Sequence, residues 1–274
     1  MNGAIWLASY PRSGNTWTRM ALYSLRNDGS DVDFNEIGAF GAMIVGREWI
    51  DRALEIDTAL MTQRELDELR PDANASIYRE ARRLTKVHDA WIRTPSGRPV
   101  FDAAFTHATI YLIRDPRDVA VSWARFSAWP MERSVAFLCN HKASLATGVI
   151  STQLRQPLGS WSDHAASWID ESGLAPLVIR YEDQLADPAG SLRAMAAHIG
   201  WEAQEQAIAA AIEKTRFDEL AAKERREGFT EIAPRTERFF HTGKAGTWRS
   251  VLTAEQARRL EVEHGPMMRR YGYL

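Results

Sequence analysis

The chain has 274 residues, 45% hydrophobic and 26% charged, with a formal net charge of −2. That balance fits a globular protein with length for a full core, and it excludes a global pull toward nucleic acid or a membrane surface. The one cysteine, Cys139, excludes an intrachain disulfide and a cysteine metal cluster, and no window approaches the ~18 apolar residues of a membrane span. Without a basic n-region and apolar h-region at its start, the chain reads as soluble and cytoplasmic.

Ile5–Ala8 reads as a buried strand. Tyr10-Pro11 breaks it, Ser13-Gly14-Asn15-Thr16 turns the chain, and a helical pattern opens at Trp17 with Met20, Ala21 and Leu25 on one side. Strand, tight polar turn and helix aim backbone N–H groups and a helix dipole at the turn, and the preferred guest is a phosphate. Arg12 adds a charge; Ser13 and Thr16 add hydroxyls. An ordinary βα turn with Ser13 or Asn15 as N-cap and a surface Arg12 explains the same residues. The G-x-x-x-x-G-K-[ST] pattern is absent: there is one Gly, and Arg12 precedes it where a Lys would follow.

Residues 31–82 show short helical patterns at 53–60 and 62–69, punctuated by Pro71, with Thr62 and Glu65 as a capping box. No strong strand lies there, and the segment reads as an inserted cap. Arg83–Val87 is a second strand, ending in Lys86-Val87-His88. Ala108–Arg114 is a third and stronger one, stopped by Asp115-Pro116, where a helix opens with Val119, Ala120 and Trp123 on one face. Helical segments follow at about 131–148 and 160–173. Pro176–Tyr181 is a fourth strand, and Asp187-Pro188 leads into a helix to about His198. Residues 202–213 and 217–226 read as helices, 228–246 as a long loop, and 254–270 as a final helix behind Thr253.

Strands separated by helices, with connections too long for hairpins, predict a parallel sheet in an α/β fold. Ligands of such sheets sit at the carboxyl ends of the strands. Residues 9–16, 86–88, 114–122 and Tyr181 should therefore converge. They bring together Arg12, Lys86, Arg114, several hydroxyls and His88: a polyanion site with a general base beside it. Singly, each has an ordinary explanation. Arg114 can pair with Asp115 or Asp118, Ser122 can bond its own helix backbone, and His88 can be a satisfied structural histidine. His107, His141, His164, His198 and His264 lie in helices or loops without functional neighbours; His241 lies in the Gly-rich loop.

At this point the residues match a family. Tyr10-Pro11-Arg12-Ser13-Gly14-Asn15-Thr16-Trp17 resembles the 5′-phosphosulfate loop of sulfotransferases that use 3′-phosphoadenosine 5′-phosphosulfate (PAPS), with Arg12 where Lys is usual. Tyr111 to Ser122, with Arg114 and Ser122 at the family spacing, resembles their 3′-phosphate motif. Lys86-Val87-His88 resembles the Lys-Thr-His segment of the catalytic base. Arg180-Tyr181-Glu182-Asp183 resembles the turn whose Tyr contacts the adenosine, and Thr215-Arg216-Phe217 an adenine contact. His241-Thr242-Gly243-Lys244-Ala245-Gly246-Thr247-Trp248 resembles the C-terminal nucleotide loop. The matches run in order from residue 5 to about 253 and look most like a bacterial, cytosolic-type member.

The resemblance implies a single sulfotransferase domain over 1–274 with a P-loop NTPase-like three-layer fold. A central parallel sheet would be flanked by helices, with 31–82 as a helical cap and 228–246 as the nucleotide and gate loop. It implies PAPS as co-substrate and no metal. The sulfuryl group would move to a hydroxyl, less readily an amine, of a small apolar or aromatic acceptor. His88 would be the base, and Arg12 and Lys86 the catalytic cations. Ser13 to Trp17 would hold the 5′-phosphate, and Arg114 and Ser122 the 3′-phosphate. Tyr181, Trp17, Thr215 and Phe217 would meet the adenosine, and His241 to Lys244 would close the nucleotide site. Neither nucleic acid nor membrane insertion is implied, and the chain is a monomer or homodimer. His241 stands where the family has Arg, with Lys244 or Arg249 as substitutes. The family's dimer motif is only echoed, by Arg249 and Thr253. An ATP phosphotransferase and a non-catalytic nucleotide-binding module are the alternatives.

Overall fold

The computed structural model describes residues 2–146, 153–229, 231 and 238–274. Its strands in chain order are β1 Gly3–Ser9, β2 Arg82–Val87, β3 Thr106–Ile113, β4 Ser144–Leu145, β5 Gln156–Pro157 and β6 Leu177–Arg180. Four of them form one parallel sheet in the order β2-β1-β3-β6. Ala8 pairs with both Val87 and Tyr111, and Ile113 with Arg180, so the carboxyl ends line up along one edge.

Helices cover both faces. They are α1 Asn15–Arg26, α2 Arg47–Leu54, α3 Gln63–Glu80, α4 Pro116–Ser127, α5 Met131–Leu138, α6 Trp161–Ala166, α7 Tyr181–Ala186, α8 Pro188–Ile199, α9 Glu205–Lys214, α10 Phe217–Glu227 and α11 Ala254–Arg270. Alternation along the strands splits the core. Trp6, Ala8, Tyr111 and Ile113 pack with Val119 of α4, Trp161 and Leu260. Ile5, Leu7, Ile110 and Leu112 pack with Leu22 of α1, Met195 of α8 and Ile208 of α9. Sheet residues buried on both sides are what a parallel, helix-covered sheet requires, and the result is the expected three-layer α/β architecture.

Between β1 and β2 the insertion contains α2 and α3. The Thr62–Glu65 capping box forms at the start of α3. Pro71 lies inside α3 rather than breaking it. The lost backbone bond costs about 3 kcal/mol. Burial of Pro71 and Ala73, with Asn74 Nδ2 donating to Val100 O at 2.7 Å, offsets that cost.

The expected helix over 131–148 stops at Leu138; β4 and β5 instead pair as a short antiparallel ladder. The helical stretch from 161 ends in a π-helical turn, Ser167–Glu171. Among the described residues no helix is long and apolar enough to cross a membrane.

Candidate active site

The turn after β1 leaves the helix behind it without a side-chain cap. Gly14, the N-cap of α1, has φ 97°. A Cβ there would fall 2.6 Å from Tyr181 Cδ2, so both the backbone and the ring require glycine. Arg12 sits at φ 73°, a left-handed conformation rare outside glycine. No side chain caps α1, which leaves its first N–H groups to an anion. Neither Ser13 nor Asn15 is therefore the N-cap. Asn15 Nδ2 donates to Leu7 O at 2.9 Å and Ser9 Oγ at 3.1 Å, bracing the turn onto β1.

A cavity of about 560 Å³ opens at the strand ends. Arg12, Gly14, Asn15, Thr16, Trp17, Lys86, His88, Arg114, Ser122, Tyr181, Phe217, His241, Thr242 and Gly243 all line it. Three positions expected beside the donor lie outside its wall. Ser13 is 1% exposed beneath the turn. The Thr215 hydroxyl back-bonds to Ala211 O at 2.7 Å, and its carbonyl accepts from Trp17 Nε1 at 2.9 Å, so it positions Trp17. Lys244 contributes its carbonyl, which accepts from Arg114 Nη2 at 3.2 Å.

The cations are placed by distinct means. Arg12 Nε donates to Ser122 Oγ at 3.1 Å, and its guanidinium lies over the Phe126 and Phe239 rings at 4.4 and 5.0 Å. Burial, aided by Arg114, pulls its pKa down to about 10. Arg114 pairs with neither nearby aspartate. It stacks on Tyr181 at 4.2 Å, donates to Arg12 O at 3.1 Å, and leaves Nε without a partner. Asp115 caps α4 and pairs with Arg117 at 2.8 Å. Asp118 accepts from Gly246 N at 2.6 Å, Thr247 Oγ1 at 2.8 Å and Trp248 N at 2.9 Å, tying the C-terminal loop to α4.

Two groups escaped the sequence reading. Arg19, 1% exposed on α1, lines the cavity and pairs with Glu231. The Glu231 carboxylate also meets Lys86 Nζ at 3.2 Å and accepts from Thr16 Oγ1 at 3.1 Å. Burial would raise the Glu231 carboxyl, but Lys86 and Arg19 hold it down at about 2. Burial lowers Lys86 to about 8 against the pull of Glu231. The only signal for Arg19 was its place one turn after Thr16, and nothing in the 228–246 pattern marked Glu231.

His88 follows β2. Its Nδ1 lies 3.0 Å from Ser9 O, a group that can only accept, so Nδ1 carries the hydrogen and Nε2 the lone pair. Burial, then Lys86, holds its pKa well below the usual value, so the ring is neutral. Of the other histidines, His107 and His198 bond Ile199 O and Thr109 O, His264 bonds Ser162, and His141 sits between surface carboxylates. His164 differs from its expected isolation, because its Nε2 reaches His88 O at 3.0 Å.

The sulfotransferase-domain family model matches residues 2–272. The chain belongs to the sulfotransferase family. Its relatives include Sulfotransferase 1A1 of Canis lupus familiaris, 23% identical over 96% of this chain and 82% of that protein. Flavonol 3-sulfotransferase of Flaveria bidentis is 22% identical over 94% and 79%. Among solved structures, retinol dehydratase with androsterone and the inactive cofactor PAP superposes with TM-score 0.62, at 23% identity, covering 97% of this chain and 80% of that one. A mouse sulfotransferase complexed with PAP gives 0.59 at 21%, covering 97% and 85%. This sulfotransferase is thus an enzyme by family, which sets aside the phosphotransferase and non-catalytic readings.

Proposed function

We propose that this sulfotransferase moves the sulfuryl group of PAPS onto a hydroxyl of a small apolar or aromatic acceptor, with His88 as general base. The observation that carries the reading is the neutral His88 Nε2 in a cavity that is also lined by an uncapped helix N-terminus and by Arg12, Lys86 and Arg114. The unpartnered Nε of buried Arg114 and the Gly14 cradle against Tyr181 fit a phosphate-bearing nucleotide. PAP in the solved neighbours supports the same donor.

In the transfer, the bond from the acceptor oxygen to sulfur forms as the bond from sulfur to the 5′-phosphate oxygen breaks. The acceptor proton passes to His88 Nε2. Lys86 and the N–H groups of residues 15–17 offset the charge gained by the departing phosphate, as in phosphoryl transfer. Arg12 belongs to both halves of the site, because its Nε is already on Ser122. Arg114 and Ser122 select the 3′-phosphate. Trp17, Tyr181 and Phe217 form an aromatic frame for the adenosine, with Trp17 and Tyr181 edge-on at 5.9 Å.

The acceptor side supports an apolar body: Met43, Phe126, Leu145 and Phe239 line it, with the carboxamide of Gln156 among them. The test is His88→Ala with labelled PAPS and a panel of phenols, aliphatic alcohols and glycosides. Turnover should fall at least ~100-fold while affinity for the desulfated nucleotide stays within about twofold. Turnover within a few-fold of wild type removes His88 as base; sulfation of anionic glycans alone removes the apolar acceptor.

A further inference from the structure

Beyond Val87 the chain leaves the sheet, and the backbone of residues 88–91 finds its partners elsewhere. His88 O accepts from His164 Nε2 at 3.0 Å, and Asp89 O from Trp168 Nε1 at 2.9 Å. Ala90 N donates to Pro157 O at 2.8 Å, and Trp91 N to Ser167 Oγ at 3.0 Å. Three of these four partners come from α6 and the π-helical turn that continues it, so one helical segment carries the segment that bears the base. A π turn inside a helix commonly marks a functional position.

His164 is the contact nearest the chemistry, and its ring has no freedom. It is 0% exposed, and the Tyr10 ring packs edge-on against it at 5.4 Å. Its Nε2 faces a carbonyl and must carry the hydrogen. Its Nδ1 then accepts from Tyr111 OH at 2.8 Å, the hydroxyl of a β3 residue in the centre of the sheet. Burial lowers its pKa to about 4, so the ring stays in this neutral tautomer at neutral pH.

We propose that His164 is a positioning residue for sulfuryl transfer: its Nε2–H on the His88 carbonyl, oriented by Tyr111, fixes the backbone from which the His88 ring projects. The proposal rests on His88 being the base. The His88 ring is held at one end by Ser9 O on its own Nδ1. Its backbone is held at the other by His164. Together these two bonds set the direction of Nε2. Removing the second lets the ring shift toward or away from the acceptor oxygen, where a displacement near 1 Å is worth about 100-fold in rate.

The experiment measures kcat, donor KM and nucleotide affinity for His164→Leu, His164→Gln and Tyr111→Phe beside His88→Ala. His164→Leu should lower kcat by about 10- to 100-fold with donor KM and affinity for adenosine 3′,5′-bisphosphate within about twofold. His164→Gln, whose N–H can reach the same carbonyl, should recover most of that loss. Tyr111→Phe should lower kcat by about 3- to 10-fold through loss of ring orientation, and it carries the test if His164→Leu does not fold. The acid limb of the kcat profile should also move toward pH 6.5 in His164→Leu, as His88 loosens and hydrates. The proposal is overturned if kcat holds within twofold in the folded variants. It is equally overturned if kcat and nucleotide affinity fall in parallel, the mark of a merely structural loss. An active His88→Ala refutes the base assignment itself, whereas an inactive His88→Ala beside a fully active His164→Leu refutes only the positioning role.

Discussion

Replacing Asp118 by Asn tests whether the C-terminal loop is part of the nucleotide site. Asp118 is 1% exposed, and its two oxygens receive three donors from residues 246–248. Asn retains one oxygen, enough for Thr247 Oγ1 and Trp248 N. It then presents an NH₂ group to Gly246 N, so the bond at 2.6 Å is lost and two donors oppose each other. A hydrogen bond to a charged acceptor is worth about 1.5–3 kcal/mol, so the loop loses about 2–3 kcal/mol. The same loop supplies His241, Thr242 and Gly243 to the cavity and the Lys244 carbonyl to Arg114. Its ordering is therefore charged against binding, and 2–3 kcal/mol corresponds to about a 30- to 150-fold rise in Kd. Isothermal titration with adenosine 3′,5′-bisphosphate reads this directly. At saturating donor, kcat should change far less, because Lys86 and His88 are untouched. A Kd within about threefold of wild type would refute the reasoning.

Arg114→Ala removes the guanidinium whose Nε lacks a partner, and donor KM should rise by about two orders of magnitude; an unchanged KM moves the 3′-phosphate contact elsewhere. Lys86, lowered to about 8 by burial, loses its proton as pH rises, so kcat/KM should fall above pH 8. Lys86→Arg should flatten that limb, and a limb that persists in the variant assigns it to another group. His164 and His264 are both neutral in the fold, lowered by burial from 6.5 to about 4. Their unfolded forms take up protons first as pH drops. Stability is therefore fully present above pH 6.5 and lost toward pH 4, by about 3 kcal/mol per residue at the end of that window. Surface His141, raised by Asp163, works in the opposite sense. Urea titrations at pH 7 and pH 5 giving equal stabilities would contradict the burial of both rings.

The sheet was legible because its strands are short apolar runs bounded by breakers, and Tyr10-Pro11, Asp115-Pro116 and Tyr181 mark where they end. The cavity wall was legible for the same reason, since strand ends in a parallel sheet converge whatever the side chains are. What escaped were partners chosen by three-dimensional packing. Arg114 has aspartates one and four residues away, yet stacks on Tyr181 from another strand end. Thr215 and Ser13 match motif positions, but one hydroxyl bonds its own helix and the other lies beneath the turn. Pro71 reads as a break in any local scheme, and burial overrides it. His164 stands seventy-six residues from His88, with no pattern in the chain to announce the contact.

The charges around the cavity explain how a turn lacking the usual second glycine and following lysine can hold a polyanion. Arg12, Arg19, Lys86 and Arg114 line one space together with exposed Arg125, and among the described residues the acidic ones lining it are Asp118 and Glu231. Asp118 is committed to residues 246–248, so among the described residues Glu231 is the carboxylate that faces the cluster. Burial, with a smaller contribution from neighbouring cations, disfavours the ionised forms of these bases, and Lys86 at about 8 and Arg12 at about 10 register that strain. An anionic ligand relieves it, and a ligand with charge at two separated positions relieves it at Arg114 and at Lys86 together. Thr16, Lys86 and Arg19 already converge on one carboxylate. A sulfuryl or phosphate oxygen entering there competes with Glu231 for the same three donors. On the proposed reading, positive charge drawn from the β1 turn, α1, β2 and the end of β3 stands in for a single motif lysine.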